Sequence, residues 1–308
     1  MKDTLNGVPE EDYKSFLDAC DADDYAHEFE FKRQGMVAFF DVLGYRKLSE
    51  DVSEDVIRSV MDTLKQAHDE AKRKMSEIVI QGDPLLSFER HNPDEIRTVN
   101  ISDSIVVIDR FEDVIPFGAN RVVLREFSDS FCLYQFIQFC RKVWESLFDR
   151  GLPLRGAIST GTFYWDHGTI FAGKPFIEAY NVQESLSFSG LVLAKSVDIQ
   201  ERTRLMIDKY ILDKDLLFRN LCVPVKASKT EERSIEKDSS EGDVSPGDRL
   251  EPMDVVVPDL SDILPENIAA YAEGQFKAHG KKINSQRVQT ILKNTVEILK
   301  TKANRWRL

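Results

Sequence analysis

Two aspartates stand where chemistry can be done. Asp41 lies in Val37-Ala38-Phe39-Phe40-Asp41-Val42-Leu43-Gly44-Tyr45, and Asp103 in Asn100-Ile101-Ser102-Asp103-Ser104-Ile105-Val106-Val107. Each run is apolar and rich in residues that favour strands, so each predicts a buried strand carrying one carboxylate. A buried lone carboxylate is costly unless it is paired, hydrogen-bonded or bound to a cation. Two of them on neighbouring strands make an oxygen-ligand site for Mg²⁺ or Mn²⁺, the hard cations that accompany nucleoside triphosphates. Asp41 with the carbonyl of Val42 would hold a metal, and Asp103 would complete a pair of ions. Gly44 turns the chain toward a helix, where backbone N–H groups can meet phosphate. The bland alternative for either aspartate is a cap or a hydrogen bond in a turn.

Two metal ions do two jobs on a triphosphate: one lowers the pKa of an attacking hydroxyl, the other neutralises the leaving pyrophosphate. If the nucleophile is the nucleotide's own 3′-hydroxyl, the product is a 3′,5′-cyclic nucleotide and no protein nucleophile is needed. That agrees with the lack of a Ser/His/Asp or Cys/His arrangement in the sequence. A phosphatase of the haloacid-dehalogenase type needs a second Asp two positions after the first, and Leu43 occupies that place.

The elements that must position these groups follow from periodicity. A first strand is expected at Met36–Val42, then a helix over about 52–77 with Val56, Ile57, Val60, Met61, Leu64, Ala67 and Ala71 on one face. A strand near 85–89, a polar turn at 91–94 and strands through 96–108 give a hairpin whose second strand carries Asp103. A helix follows at 129–149, where Leu133, Phe136, Ile137, Cys140, Val143, Trp144 and Leu147 recur at helical spacing. Gly151-Leu152-Pro153 breaks it before a strand at 154–160, and Gly161 and Gly168 bracket a hairpin-like segment. A short helix at 175–187, a strand at Gly190–Ala194 and a helix near 198–213 come next. The order is a split βαβ: an α+β, ferredoxin-like (palm-like) fold with a βαββαβ core, plus C-terminal helices. Three segments are expected: an acidic arm at 1–34, a catalytic domain at 35–260 with a flexible insertion at 227–252, and a C-terminal helical extension at 261–308.

Composition narrows the classes. The 308 residues carry 41 Lys+Arg against 53 Asp+Glu, a net charge of −12, which argues against general nucleic-acid binding. No apolar stretch approaches a membrane span and the N-terminus lacks a signal peptide's regions, so a cytoplasmic location with no membrane partner is expected. Cys20, Cys132, Cys140 and Cys222 are scattered without a CxxC pair and read as free thiols. His167, in a loop, has no metal-ligand spacing around it. Charge is uneven: residues 1–30 hold ten acidic and two basic side chains, while 277–308 hold nine Lys/Arg and one Glu. The basic tail reads equally as a solvated face or as a partner for other charges.

Four motifs in order resemble one family. Phe40-Asp41-Val42-Leu43-Gly44-Tyr45, Ile101-Ser102-Asp103-Ser104, Leu154-Arg155-Gly156-Ala157-Ile158-Ser159-Thr160-Gly161 and the segment from Gly173 to Glu184 resemble the ordered core motifs of class III nucleotidyl cyclases. The resemblance covers roughly 36–260, and within the family the wording is most similar to the pyrimidine cyclases of the Pycsar anti-phage systems. It implies metal ligation by Asp41, Asp103 and the Val42 carbonyl, and two Mn²⁺ or Mg²⁺ ions per site. It also implies a head-to-tail homodimer with active sites at the interface, and a separate effector protein that responds to the cyclic nucleotide.

The departures from the family pattern are specific. Purine cyclases place a polar base reader four positions before the second metal aspartate, where this chain has Val99. Arg97, on the same strand face, would approach the base or the phosphates, and Tyr45 would narrow the base pocket and offer a hydroxyl. The resemblance therefore implies a uridylate cyclase making cyclic UMP from UTP, with CTP the lesser candidate. Purine cyclases also carry an Asn and, four residues later, an Arg on the helix after Gly173. Here Asn181 remains as a ribose contact, but Ser185 stands at the arginine's place, and Arg155 or Lys226 is left to supply the charge. The alternatives are a purine cyclase, or an inactive cyclase-like domain that senses nucleotide or dimerises.

Overall fold

The computed structural model describes residues 33–44, 96–101, 103–110, 121–166, 170–197, 217–226, 249–256, 258, 260, 263–278, 283 and 285–305, with scattered helical positions between 58 and 73. The expected acidic arm, the apolar face of the 52–77 helix, the strand near 85–89 and the 91–94 turn lie outside the described residues. So do the 198–213 helix, His167 and Tyr45.

One sheet organises the chain. Its strands are β1 (Arg33–Val42), β2 (Arg97–Ile101), β3 (Ser104–Arg110), β4 (Leu154–Asp166), β5 (Ile170–Gly173), β6 (Gly190–Leu193), β7 (Leu217–Val225) and β8 (Arg249–Val256). The order is β2-β3-β1-β4-β6-β8-β7, with β5 folding back on β4. The pairs β2/β3, β3/β1 and β1/β4 are all antiparallel. That is the order of a ferredoxin-like βαββαβ unit, in which β1 sits between the second half's two strands. β6 then joins β4 in parallel, after the chain returns through α2.

The helices are α1 (Arg121–Asp149), α2 (Lys174–Ser185), α3 (Ile268–Lys277) and α4 (Gln286–Arg305). β1 is apolar without alternation because both of its faces are covered. Met36, Ala38, Phe40 and Val42 join α1 in the main core, whereas Val37 packs with Val106, Ile108, Phe163 and Ala179 of α2. α1 is buried almost all round over 132–148, including Gln135, Gln138 and Arg141. The reason is a second layer: Ile268, Ala272 and Phe276 of α3 and Ile291, Val296 and Leu299 of α4 belong to the same core. Phe148 meets the rings of Tyr271 and Phe276, and the Tyr271 hydroxyl donates to Asp149. Burial first, then that bond, raise the Tyr271 pKa. Cys132 and Cys140 are buried thiols on α1; burial and the negative Asp109 push Cys140 upward.

Several boundaries differ from expectation. β1 begins at Arg33 and β4 continues to Asp166, because their mutual pairing carries both strands past their apolar stretches, and α1 begins at Arg121. Asp103, expected within a strand, lies instead in the turn between β2 and β3, where the polar sequence Ser102-Asp103-Ser104 interrupts the apolar run. β7 was not expected. Its pattern is interrupted by Pro224 and by a bulge between Phe218 and Leu221, where Asn220 takes φ 50° and donates its N–H to Asp254. Residues 249–252, assigned above to the insertion, are strand. Their charges and Pro252 read as linker, yet they pair with Val225 through Cys222 of β7. No helix among the described residues is long and apolar enough to cross a membrane.

Candidate active site

β1 and the β2/β3 hairpin bring the two aspartates to one end of the sheet. Asp41 is in register with Ser104, and the Val42 N–H donates to the Asp103 carbonyl at 2.9 Å. The turn after β1 is pinned from the other side, where Leu43 N–H donates to the Pro153 carbonyl at 2.9 Å. Gly44 then takes φ 82°, a left-handed conformation that a side chain resists. The Gly151-Leu152-Pro153 break thus buttresses the Asp41 turn.

On its β4 side Asp41 is in register with Arg155. Arg155 Nε and Nη2 both reach Asp41 Oδ2 at 2.8 Å, with the side chains 11% and 19% exposed. The other carboxylate oxygen of Asp41 carries no hydrogen bond among the described residues, and neither does the carboxylate of half-buried Asp103. The guanidinium therefore occupies one oxygen of Asp41, and the second Asp41 oxygen and the Asp103 carboxylate are left as acceptors that a cation can use.

The donor set fits Mg²⁺ or Mn²⁺. Carboxylate oxygens are hard ligands, and no third His, Cys, Asp or Glu joins them among the described residues. Mg²⁺ that accompanies a triphosphate is held in this way, by one or two carboxylates with phosphate and water completing the shell. The Val42 carbonyl is the backbone oxygen at the same turn.

Arg155 also reaches the second half of the site. Its Nη1 donates to the Glu184 carbonyl at 3.3 Å, and Lys226 Nζ donates to the same carbonyl. Glu184 lies in the last turn of α2, where exposed carbonyls favour cations. The junction is stitched by Lys226 N–H to Ser185 O at 2.7 Å and Ser187 N–H to Pro224 O at 3.1 Å. Lys226 is pulled down to a pKa of about 8, first by burial, then by Arg155 and Arg287; Glu184 and Asp41 act the other way.

α2 is positioned by Gly173, whose φ is 153° and whose absent Cβ would meet Phe163 Cα at 2.8 Å and Thr162 O at 2.9 Å. Pro175 opens the helix, and Ser159 Oγ donates to its carbonyl. Asn181 is exposed on α2, and Ser185 turns its hydroxyl back to the Val182 carbonyl at 2.7 Å. Ile177 and Tyr180, nearby on the same helix, are 64% and 45% exposed. Arg97 is exposed and Val99 half-buried; they pair with Ile108 and Val106, further along the hairpin from Asp103.

The chain thus gathers Asp41, Val42, Asp103, Gly44, Arg155 and Lys226 at one end of the sheet. Arg97 and Val99 stand apart on β2, and Asn181 stands on the exposed surface of α2. Two participants escaped the sequence reading: the Glu184 carbonyl, which has no side-chain signature, and Arg287, one of nine cations in the basic tail.

No family model matches the chain, and no curated protein matches it. Among the solved structures similar to it are the following three. The guanylyl cyclase domain of a RhoGC fusion protein from the aquatic fungus Blastocladiella emersonii is 11% identical, with a TM-score of 0.41 over 64% of this chain and 92% of that one. The adenylyl cyclase CyaB from P. aeruginosa is 14% identical, with a TM-score of 0.38 over 76% of this chain and 98% of that one. The catalytic core of a rhodopsin-guanylyl cyclase with converted specificity, in complex with ATPalphaS, is 11% identical, with a TM-score of 0.42 over 74% and 97%.

Proposed function

We propose that this chain is a metal-dependent nucleotide cyclase. In our reading it converts a pyrimidine triphosphate, UTP before CTP, to the 3′,5′-cyclic monophosphate and pyrophosphate. The observation that carries this reading is the pair of partly buried aspartates, Asp41 and Asp103, joined through Val42 at one end of a ferredoxin-like sheet, with Arg155 on one oxygen of Asp41. The ordered motifs that resemble class III cyclases run through the same strands.

Asp41, Asp103 and the Val42 carbonyl would hold Mg²⁺ or Mn²⁺, which when bound supplies Lewis-acid activation of the 3′-hydroxyl and charge neutralisation of pyrophosphate. The 3′-oxygen forms its bond to the α-phosphorus as the bond to the β-phosphate oxygen breaks, and the hydroxyl proton leaves to solvent. Arg155 and Lys226 draw negative phosphate toward the C-terminal end of α2. Val99 offers no hydrogen bond to a purine edge, and Arg97 lies on the same strand two residues away. Exposed Ile177 and Tyr180 beside Asn181 support an α2 surface that a second copy covers, so that Arg97, Val99 and Asn181 serve the partner's metals. In a Pycsar-like setting the product is a second messenger that activates a separate effector against phage.

The purified chain with Mn²⁺ and each of the four nucleoside triphosphates tests this directly. Cyclic UMP or cyclic CMP is the expected product, and Asp41→Ala and Asp103→Ala each remove turnover while the circular dichroism spectrum is kept. Products from ATP or GTP alone overturn the pyrimidine assignment. Full activity in either variant overturns the two-carboxylate site. Ser185 in place of an arginine favours a second reading, an inactive nucleotide sensor, which binds triphosphate without releasing pyrophosphate.

A further inference from the structure

We propose that Arg287, at the start of α4, is a third phosphate-binding cation beside Arg155 and Lys226, so that the C-terminal helical layer forms part of the substrate site. The proposal rests on the nucleotide reading above and adds a residue to it.

Docking of α4 fixes where Arg287 stands. Thr295 Oγ1 accepts the Ser189 N–H at 2.8 Å, Asn294 Nδ2 donates to the Ser187 carbonyl at 2.9 Å, and Ile298 packs with Phe188, Val192 and Val255. Ser187 is itself bonded to Pro224, and Ser185 to Lys226. Arg287 precedes Asn294 by seven residues, so the two share a helix face, with Arg287 about 10 Å nearer the helix start. That face runs along the α2–β7 seam carrying Lys226. The field of Arg287 reaches Lys226, third in weight after burial and Arg155.

Arg287 is exposed and makes no hydrogen bond or ion pair among the described residues. It also sits in the first turn of a 20-residue helix, the end at which the helix field repels cations. Arg155, Lys226 and Arg287 therefore crowd one seam, with Glu184 and Asp41 as the opposing charges, and Asp41 is already engaged by Arg155. A polyanion relieves that crowding, and the triphosphate of the proposed substrate is one. Guanidinium suits it by donating in parallel to phosphate oxygens.

The test is calorimetric titration of the full chain with magnesium tripolyphosphate, which carries no base or ribose. Arg287→Gln is expected to weaken binding about tenfold, the effect of losing one charge-assisted hydrogen bond. Arg287→Lys keeps most of the affinity, and both variants keep the wild-type melting temperature. Equal affinities for wild type and Arg287→Gln overturn the proposal, as does a wild-type chain that does not bind tripolyphosphate. If no triphosphate is cyclised yet Arg287→Gln still loses tripolyphosphate, the phosphate cluster stands and the cyclase reading falls. If cyclic product forms and Arg287→Gln leaves both KM and tripolyphosphate affinity unchanged, the cyclase reading stands and the role of α4 falls.

Discussion

Replacing Arg155 by Met separates the two duties of that side chain. Its two nitrogens at 2.8 Å from one Asp41 oxygen hold a pair that is 11% and 19% exposed. An exposed pair is worth about 0–1 kcal/mol, and stripping one partner from a fully buried pair costs about 3–5 kcal/mol. Arg155→Met leaves Asp41 stranded between these limits, so a loss of about 2 kcal/mol is expected, seen as a fall in Tm of about 3 °C for a chain of this size. Asp41→Asn in the same background removes the stranded charge. The double variant should therefore recover about 1–2 kcal/mol relative to the sum of the single ones. Mn²⁺ adds a second discriminator, because a bound cation replaces the guanidinium at Asp41. Arg155→Met should bind Mn²⁺ more tightly than wild type and regain most of its Tm at saturating Mn²⁺, while turnover stays low for want of the phosphate contact. Thermal melts with and without Mn²⁺, run on the four members of the cycle, read all of this. Equal Tm for wild type and Arg155→Met without metal, or strict additivity in the cycle, refutes the reasoning.

Two further predictions concern the surroundings of the site. Gly173→Ala forces a Cβ against Phe163 Cα and Thr162 O at a φ of 153°, so it should cost about 2–3 kcal/mol through strain and overpacking; chemical denaturation measures the loss, and a change within 0.5 kcal/mol of wild type contradicts the placement of α2. Lys226, lowered from 10.5 to about 8, binds fewer protons in the fold than in the unfolded chain between those values. Stability should therefore rise with pH across that window while triphosphate affinity falls above pH 8. Lys226→Met should flatten both trends, and an unchanged pH profile of KM in that variant counts against the assignment.

The central architecture was legible because it is written in long apolar runs. Met36–Val42 and the Leu133–Leu147 stripe each carry more apolar residues than any turn or linker tolerates, and each forms the element expected of it, whereas the apolar run expected to carry Asp103 within a strand is broken into two strands with Asp103 in the turn between them. The pairing of Arg155 with Asp41 was not legible: the residues are 114 positions apart and meet only through the β1/β4 register. β7 escaped because a bulge, Asn220 and Pro224 spoil its alternation, which also hid how Lys226 is held. The near-total burial of α1 was hidden for another reason. One amphipathic stripe predicts one covered face, and the second cover comes from α3 and α4, more than a hundred residues later.

That second cover has a consequence for the order of events during synthesis. β1, the hairpin and α1 leave the ribosome well before Ile291, Thr295 and Leu299, so the outer side of α1 stays wet until α4 arrives. A nascent chain holding both aspartates thus lacks the layer that locks Ser187 and Ser189 beside the Lys226 seam. A chain that ends before α4 is therefore expected to keep the outer side of α1 uncovered and the Lys226 seam unlocked.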